Sequence, residues 1–326
     1  MEGLQPGTTY EVVASAEGIP AFLAGTVTTM RPPEGRLLST LGAVTDLHIG
    51  ERHFGVWGRI WDRSSLAPGR SGYPVRALEA ALEEVSAWGA ELVVAKGDLT
   101  RVATSAELSE AGRILANSPV PVEAVLGNHD NALNVDMRAV LQANGVRVSW
   151  GPRAVDVPGL RIVLVNSVHA DPHHHSGHLP PGAGRQVAGL AGEALTPAMV
   201  VLHHPPDLHR YPTVYPPGIP LGESRALLEA LVEKKPNALL SCGHRHRNRR
   251  YAYGPVVIAE TGSTKDYPGA WAGYKVYETG VLQVVRRTAR ADVIGWTEAS
   301  RRAMNGQWGR WSPGRLGDRC FSISWQ

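Results

Sequence analysis

Cysteine is scarce in this chain: Cys242 and Cys320 are the only two among 326 residues. One pair at most excludes a disulfide framework as the source of stability. Cys242 ends the apolar run Leu239-Leu240-Ser241-Cys242 and reads as a small buried residue. Long hydrophobic runs are also missing. No stretch approaches the ~18 apolar residues of a membrane span. Met1-Glu2-Gly3-Leu4 has neither a basic nor a long apolar leader region. No membrane partner is therefore expected, and a cytoplasmic location is. Charge of one sign is not in excess either, with 33 Lys and Arg against 30 Asp and Glu, net +3. So mild a balance suits a small anionic substrate and argues against nucleic acid. The short basic runs Arg245 to Arg250 and Arg286 to Arg290 read as solvated surface. No fixed-period repeat occurs.

What is present is a globular composition, 43% hydrophobic, enough for one large α/β domain with small attachments. Residues 1–35 stand apart. Thr8 to Ala14 and Gly25 to Thr29 carry the β-branched content of two strands. Leu4-Gln5-Pro6-Gly7-Thr8-Thr9-Tyr10 resembles the tyrosine corner of a fibronectin type III domain. Only part of such a sandwich is here, and two strands alone are marginal in water. Either the chain lacks its beginning, or the hairpin packs onto the next domain. Arg31-Pro32-Pro33-Glu34-Gly35 is a stiff linker.

Across residues 36–290 strands and helices alternate. Tyr73 to Trp88 is helical, with Val75, Leu78, Ala81, Leu82 and Val85 on one face. Thr104 to Ala116, Asn134 to Ala143 and Gly222 to Glu233 are further helices. Strands are expected at Leu41 to Thr45, Leu92 to Ala95, Val120 to Leu126, Leu160 to Val165, Met199 to Leu202 and Ala238 to Ser241. Later β segments fall at 251–253, 255–260, 274–278 and 281–285, with Gly280 as a hairpin turn. The pattern predicts an α/β layered domain with a mixed sheet. Residues 291–326 hold Trp296, Trp308, Trp311 and Trp325 among Arg and Gly, without metal-ligand spacing. They are expected to pack over the preceding domain. Binding of nucleic acid through Trp beside Arg is the weaker alternative.

Five polar clusters lie just past predicted strands: Asp46-Leu47-His48, Gly97-Asp98, Gly127-Asn128-His129-Asp130, His203-His204-Pro205-Pro206 and Gly243-His244-Arg245-His246. The C-terminal strand ends of an open α/β sheet form its ligand crevice. One His or Asp in such a place is usually an ordinary loop residue; five clusters converging there indicate a metal site. Carboxylate, amide and imidazole donors without cysteine suit Zn, Mn or Fe. Seven side chains are too many for one ion and fit two that share a carboxylate, the arrangement that serves in-line phosphoryl displacement. Asp-x-His and His-x-His put both donors on one side if the chain is extended. The preceding Gly97, Gly127 and Gly243 let the backbone turn sharply.

These blocks, in this order over about residues 40–287, resemble the calcineurin-like metallophosphoesterase superfamily. The resemblance implies a four-layer αββα sandwich of mixed sheets and a dinuclear centre. It assigns Asp46, His48 and His246 to one metal, Asn128, His203 and His244 to the other, and Asp98 to a bridge. It makes a metal-bound hydroxide the nucleophile. His129 then binds phosphate and protonates the leaving oxygen, with Asp130 orienting it. The family pattern His-x-Pro favours His203 over its neighbour His204, which is left in the second shell. Purple acid phosphatases carry a tyrosine where this chain has Arg101, so a tyrosinate–iron site is not expected. The His-His-Pro-Pro block looks most like bacterial cyclic-nucleotide and glycerophosphodiester phosphodiesterases.

Three features stay open. His169-Ala-Asp-Pro-His-His-His-Ser-Gly-His178 reads as a solvated loop; a substrate-facing lid, with His169 near the substrate, is the alternative. His53, Trp57 and Trp61 either cover the crevice or pack structurally. The expected function is hydrolysis of a phosphodiester or phosphomonoester with two transition-metal ions. A nuclease and a non-catalytic protein-binding scaffold are the competing readings, and homo-oligomerisation is left open.

Overall fold

The computed structural model describes residues 4–55, 60–62, 71–211 and 213–325. In chain order the elements are β1 (Thr9–Ala16), β2 (Ile19–Thr28), β3 (Leu37–Val44), β4 (His53–Phe54), β5 (Ile60–Trp61), α1 (Tyr73–Ala87), β6 (Leu92–Lys96), α2 (Ser105–Ala116), β7 (Val122–Val125), α3 (Met137–Ala143), β8 (Arg153–Val157), β9 (Leu160–Leu164), α4 (Ala183–Gly192), β10 (Ala198–Val201), α5 (Leu221–Lys234), β11 (Leu239–Cys242), β12 (Arg249–Tyr253), β13 (Val256–Glu260), β14 (Ala270–Tyr277), β15 (Gly280–Arg287), α6 (Ala291–Ser300), α7 (Gln307–Trp311), α8 (Leu316–Arg319) and β16 (Cys320–Ser324). Among the described residues, no helix is long and apolar enough to cross a membrane.

Two six-stranded mixed sheets stack face to face. One has the order β16-β15-β14-β3-β6-β7, the other β12-β13-β11-β10-β9-β8. Strand alternation builds three cores at once. On β6, Leu92 and Val94 face the opposite sheet while Val93 and Ala95 face the helices. On β10, Met199 and Val201 point between the sheets, and Ala198 and Val200 outward. Helices α1, α2 and α3 cover the first sheet, α4 and α5 the second. The layers are therefore αββα, as the resemblance implied. Each fully buried aliphatic side chain here contributes about 1.5–3 kcal/mol.

Local signals explain the helices that were legible. Pro74 occupies the first turn of α1 and Gly72 precedes it. Its far end closes where Gly89 takes φ 92°, with Ala90 N donating to Val85 O and Gly89 N to Ser86 O. Thr104 and Glu107 form a capping box on α2. Helix α3 is shorter than expected because Asp136 caps it, accepting from Ala139 N. Gly280 is not in the hairpin turn but opens β15, where a Cβ would lie 2.1 Å from Ile323 O.

Between the sheets lies a buried cation. Lys96 is 0% exposed, and its Nζ donates to Ser241 Oγ, Cys242 O and Thr261 Oγ1 across to the second sheet. Burial lowers its pKa to about 8, against the opposing pull of Cys242 and Asp46. Buried and fully hydrogen-bonded, it fixes the two sheets in register beneath the strand ends.

The N-terminal hairpin β1–β2 is antiparallel and largely exposed, including Val13, Phe22 and Leu23. Its Tyr10 hydroxyl accepts from Gln5 N at 2.7 Å. The C-terminal segment adds β16 to the edge of β15 and stacks Trp296 on Tyr73 at 3.7 Å.

Helix α4 escaped the sequence reading because Gly184, Gly189 and Gly192 dilute its helical pattern. Gly184 has a packing reason: a Cβ there would sit 2.8 Å from Leu227 Cα in α5. Gly189 meets nothing within 4 Å. Gly184→Ala is expected to destabilise the chain by ~1–3 kcal/mol through overpacking, whereas Gly189→Ala stabilises it by up to ~1 kcal/mol. Urea unfolding of both variants checks the pair; equal effects would contradict this account of the α4–α5 contact.

Candidate metal centre

The five clusters follow β3, β6, β7, β10 and β11 by one or two residues, so parallel strands deliver them to one edge of the sandwich. The first two loops zip together: Asp46 N donates to Gly97 O, and Leu47 N and His48 N both donate to Asp98 O. Their backbones are not extended as the i, i+2 argument assumed. Asp46, His48, Asp98, His244 and His246 all have left-handed φ, between 46° and 72°. Such backbone costs about 1–2 kcal/mol per non-glycine residue, and its clustering on candidate ligands marks a functional site. The glycines also act differently from expectation. Only Gly97 has positive φ. Gly127 and Gly243 are needed for space, since a Cβ would lie 2.2 Å from Asp98 Oδ1 or 2.8 Å from Asp46 Oδ2.

The side chains converge with their metal-donor atoms facing one another. Asp98 Oδ2 lies 3.4 Å from His48 Nε2 and 3.2 Å from His203 Nε2. His246 Nε2 lies 3.5 Å from Asp46 Oδ1. Three ring nitrogens are committed elsewhere. His203 Nδ1 donates to Lys96 O, His246 Nδ1 to Asp266 Oδ2, and His244 Nε2 to Pro217 O. Those bonds aim His203 Nε2, His246 Nε2 and His244 Nδ1 inward. His48 Nε2 and Asn128 Oδ1 are buried without a hydrogen-bond partner. Buried lone pairs left this way are costly unless a cation shares them. Two clusters have the proximity a metal ion needs: Asp46, His48, Asp98 and His246, and His203, His204 and His244. Carboxylate, amide and imidazole donors fit two transition-metal ions.

Burial, with Lys265 and His129 nearby, holds His48 well below the usual imidazole range. Burial does the same to His204 and His244, reinforced by neighbouring histidines. Burial also opposes charge on His203 and His246, but carboxylates win. Asp98 and Asp46 raise His203 to about 9, and Asp266 and Asp46 raise His246. Asp98 is pulled well below the carboxylate range against its own burial, by His203 and His129.

Asp130 is the clear departure from expectation. Its carboxylate accepts from Leu99 N, Thr100 N, Gly127 N and Thr100 Oγ1. It ends a turn of 3-10 helix at Asn128–Asp130, so its side chain folds back into the Gly97 and Gly127 loops instead of reaching the His129 ring. Burial and the Asp98 charge push it up to about 6. His129 is oriented by another group, its Nδ1 donating to Arg101 O at 2.7 Å. That leaves Nε2 for the cleft.

The centre floors a cleft of about 930 Å³. His53 lines it, with Trp61 5.1 Å away between ring centres; Trp57 lies outside the described residues. His169 does not reach the cleft lining; it stacks on His174 at 4.2 Å. Instead His175 of the same loop comes to the centre, its Nδ1 3.3 Å from Asn128 Nδ2. His204 is fully buried, with Nδ1 against Ser167 Oγ and Nε2 unpartnered. Arg245, expected at the surface, is 2% exposed and paired with Asp207 and Glu260. Its Nε also holds Pro216 O, next to the Pro217 carbonyl that orients His244. Asp266 was missed altogether, although it follows β13 in a polar run, because no histidine marks that run.

The family model of the calcineurin-like phosphoesterase superfamily domain matches residues 40–280. No curated protein sequence matches the chain. A dimetal phosphatase from Danio rerio is similar in structure, with TM-score 0.60 and 12% identity over 89% of this chain and 100% of that one. A purple acid phosphatase from yellow lupin (Lupinus luteus) seeds gives 0.54 at 10% identity, over 88% of this chain and 58% of that one. The anchor in the inner membrane complex of Plasmodium gives 0.52 at 11%, over 79% and 87%. At these identities the likeness concerns the fold alone.

The His203 shift has a definite sign. Its stabilising contribution is complete below the ordinary pKa of 6.5 and is lost as pH rises through about 9. Lys96 acts oppositely, but only above its own pKa of about 8. Chelator-treated protein is therefore expected to lose about 1–2 kcal/mol of His203-dependent stability between pH 6.5 and 8. Urea melts of the wild type and His203→Ala at both pH values measure it. A stability difference that grows with pH would refute the His203–Asp98 pairing.

Proposed function

The chain belongs to the calcineurin-like phosphoesterase superfamily, and on that basis we propose that it hydrolyses a phosphoric ester, with diesters preferred over monoesters. The observation that carries this reading is the set of buried metal-donor atoms around Asp98: His48 Nε2 and Asn128 Oδ1, which have no hydrogen-bond partner, and His203 Nε2, 3.2 Å from Asp98 Oδ2. Asp46, His48 and His246 would hold one metal ion, and Asn128, His203 and His244 the other, with Asp98 between them. Bound ions would supply an activated water and neutralise charge on the phosphoryl oxygens. His204 is the rival of His203, but it is His203 whose Nε2 reaches Asp98.

The protein's own residues do the rest. Arg101 O holds the His129 Nδ1–H, so Nε2 is the ring nitrogen that takes up and releases a proton at the cleft. His129 stands beside His48, 4.5 Å between ring centres, where a leaving oxygen would emerge. His129 Nε2–H gives that oxygen its proton. Asp130 holds the Asp98 and Asn128 loops at fixed spacing. A cleft of about 930 Å³ has room for a second ester substituent, and the His203-His204-Pro205-Pro206 block supports the diester preference.

Protein loaded with Mn²⁺ is expected to hydrolyse bis-p-nitrophenyl phosphate faster than p-nitrophenyl phosphate. Absence of turnover with Mn²⁺, Fe²⁺ and Zn²⁺ alike would favour a non-catalytic scaffold. His129→Ala should lose ~10²–10⁴-fold in kcat on an alkyl phosphodiester. The loss on the p-nitrophenyl ester should be much smaller, because p-nitrophenolate leaves without a proton. Equal losses on both esters would remove His129 from the role of acid.

A further inference from the structure

The C-terminal segment grips one short loop beside the metal centre, residue after residue. Trp296 Nε1 donates to Lys265 O at 2.9 Å. Trp308 Nε1 donates to Asp266 Oδ1 and to Tyr267 O, each at 3.2 Å. Ser300 Oγ accepts from Tyr267 N at 2.9 Å. Asp266 is 0% exposed, and its other oxygen takes His246 Nδ1–H at 2.7 Å. Lys265 Nζ stands 3.5 Å from that same oxygen, shared with Glu51.

Trp308 reaches this position by a costly route. Met304, Asn305 and Gly306 turn left-handed in succession, with φ of 53°, 56° and 81°, before the short helix α7 begins. Two of these are non-glycine residues, for which such backbone is disfavoured. The turn presents the Trp308 ring 6.1 Å from the His246 ring and edge-on to Phe54.

We infer that Trp308 is a positioning residue for the metal centre: its indole N–H fixes the Asp266 carboxylate, which fixes the His246 imidazole. A carboxylate on Nδ1–H keeps the Nε2 lone pair free and raises its basicity as a donor. The C-terminal segment thereby sets the affinity of the site built from Asp46, His48 and His246, without supplying a ligand. The inference rests on the dinuclear reading above.

Its test is Mn²⁺ titration of the chelator-stripped full chain, read as free Mn²⁺ by electron paramagnetic resonance. Wild type should bind two Mn²⁺. Asp266→Asn should weaken one site by ~10–100-fold. Trp308→Phe, which keeps the ring packing and deletes the donor, should weaken that same site by at least ~3-fold and leave the other within ~2-fold. The double variant should bind no more weakly than Asp266→Asn, because Trp308 acts through Asp266. The inference is overturned if Trp308→Phe changes neither site, weakens both alike, or adds its full factor to Asp266→Asn. A wild type that binds fewer than two Mn²⁺ refutes the dinuclear reading itself, and this inference with it.

Discussion

Asp98 Oδ2 sits between two imidazole nitrogens, 3.4 Å from His48 and 3.2 Å from His203. Lone pairs that face one another in a buried space repel unless a proton or a cation lies among them. Much of the surrounding structure resists that repulsion. The Asp46 and Asp98 loops are joined by backbone hydrogen bonds. Asp130 ties the Asp98 loop to the Asn128 loop. Left-handed backbone at five candidate ligands is held in place by this packing. The fold stabilises a constellation that would fly apart as an isolated peptide.

The two sheets divide the work. Asp46, Asp98 and Asn128 come from the ends of β3, β6 and β7; His203, His244 and His246 follow β10 and β11 in the other sheet. Neither sheet alone holds a complete set, so the centre depends on their register. Lys96 is the direct tie. Its ammonium bonds across the interface, while its carbonyl accepts the Nδ1–H of His203. One residue thus joins sheet packing to ligand orientation.

Outside the two sheets the chain's ends differ. The C-terminal segment is hydrogen-bonded into the loop that carries Asp266 and walls one side of the cleft with Trp308 and Trp311. The N-terminal hairpin leaves its apolar residues exposed. Arg245 and Arg247 lie in the same basic run as surface arginines, yet Arg245 is buried between two carboxylates and Arg247 lies 4.8 Å over Trp311. A charged run tells how many charges there are, not which of them the fold encloses.

Residue type and short-range spacing determined a good deal. The amphipathic face of α1, the capping box of α2 and the apolar strands were legible because they depend on neighbours a few residues away. So was the convergence of Asp46, His48, Asp98, Asn128, His203, His244 and His246, because parallel strands must end on one side. Tertiary structure alone decided the rest. It turned Asp130 away from His129 and put Arg101 O in its place. It chose His175 over His169 for the cleft and made Gly127 and Gly243 matters of space instead of turning. It joined Trp308 to Asp266, 42 residues apart in the chain. The reason is physical: a side chain's chemistry belongs to its own residue, but its direction, its burial and the partner on its second atom are set by segments that meet only in the folded chain.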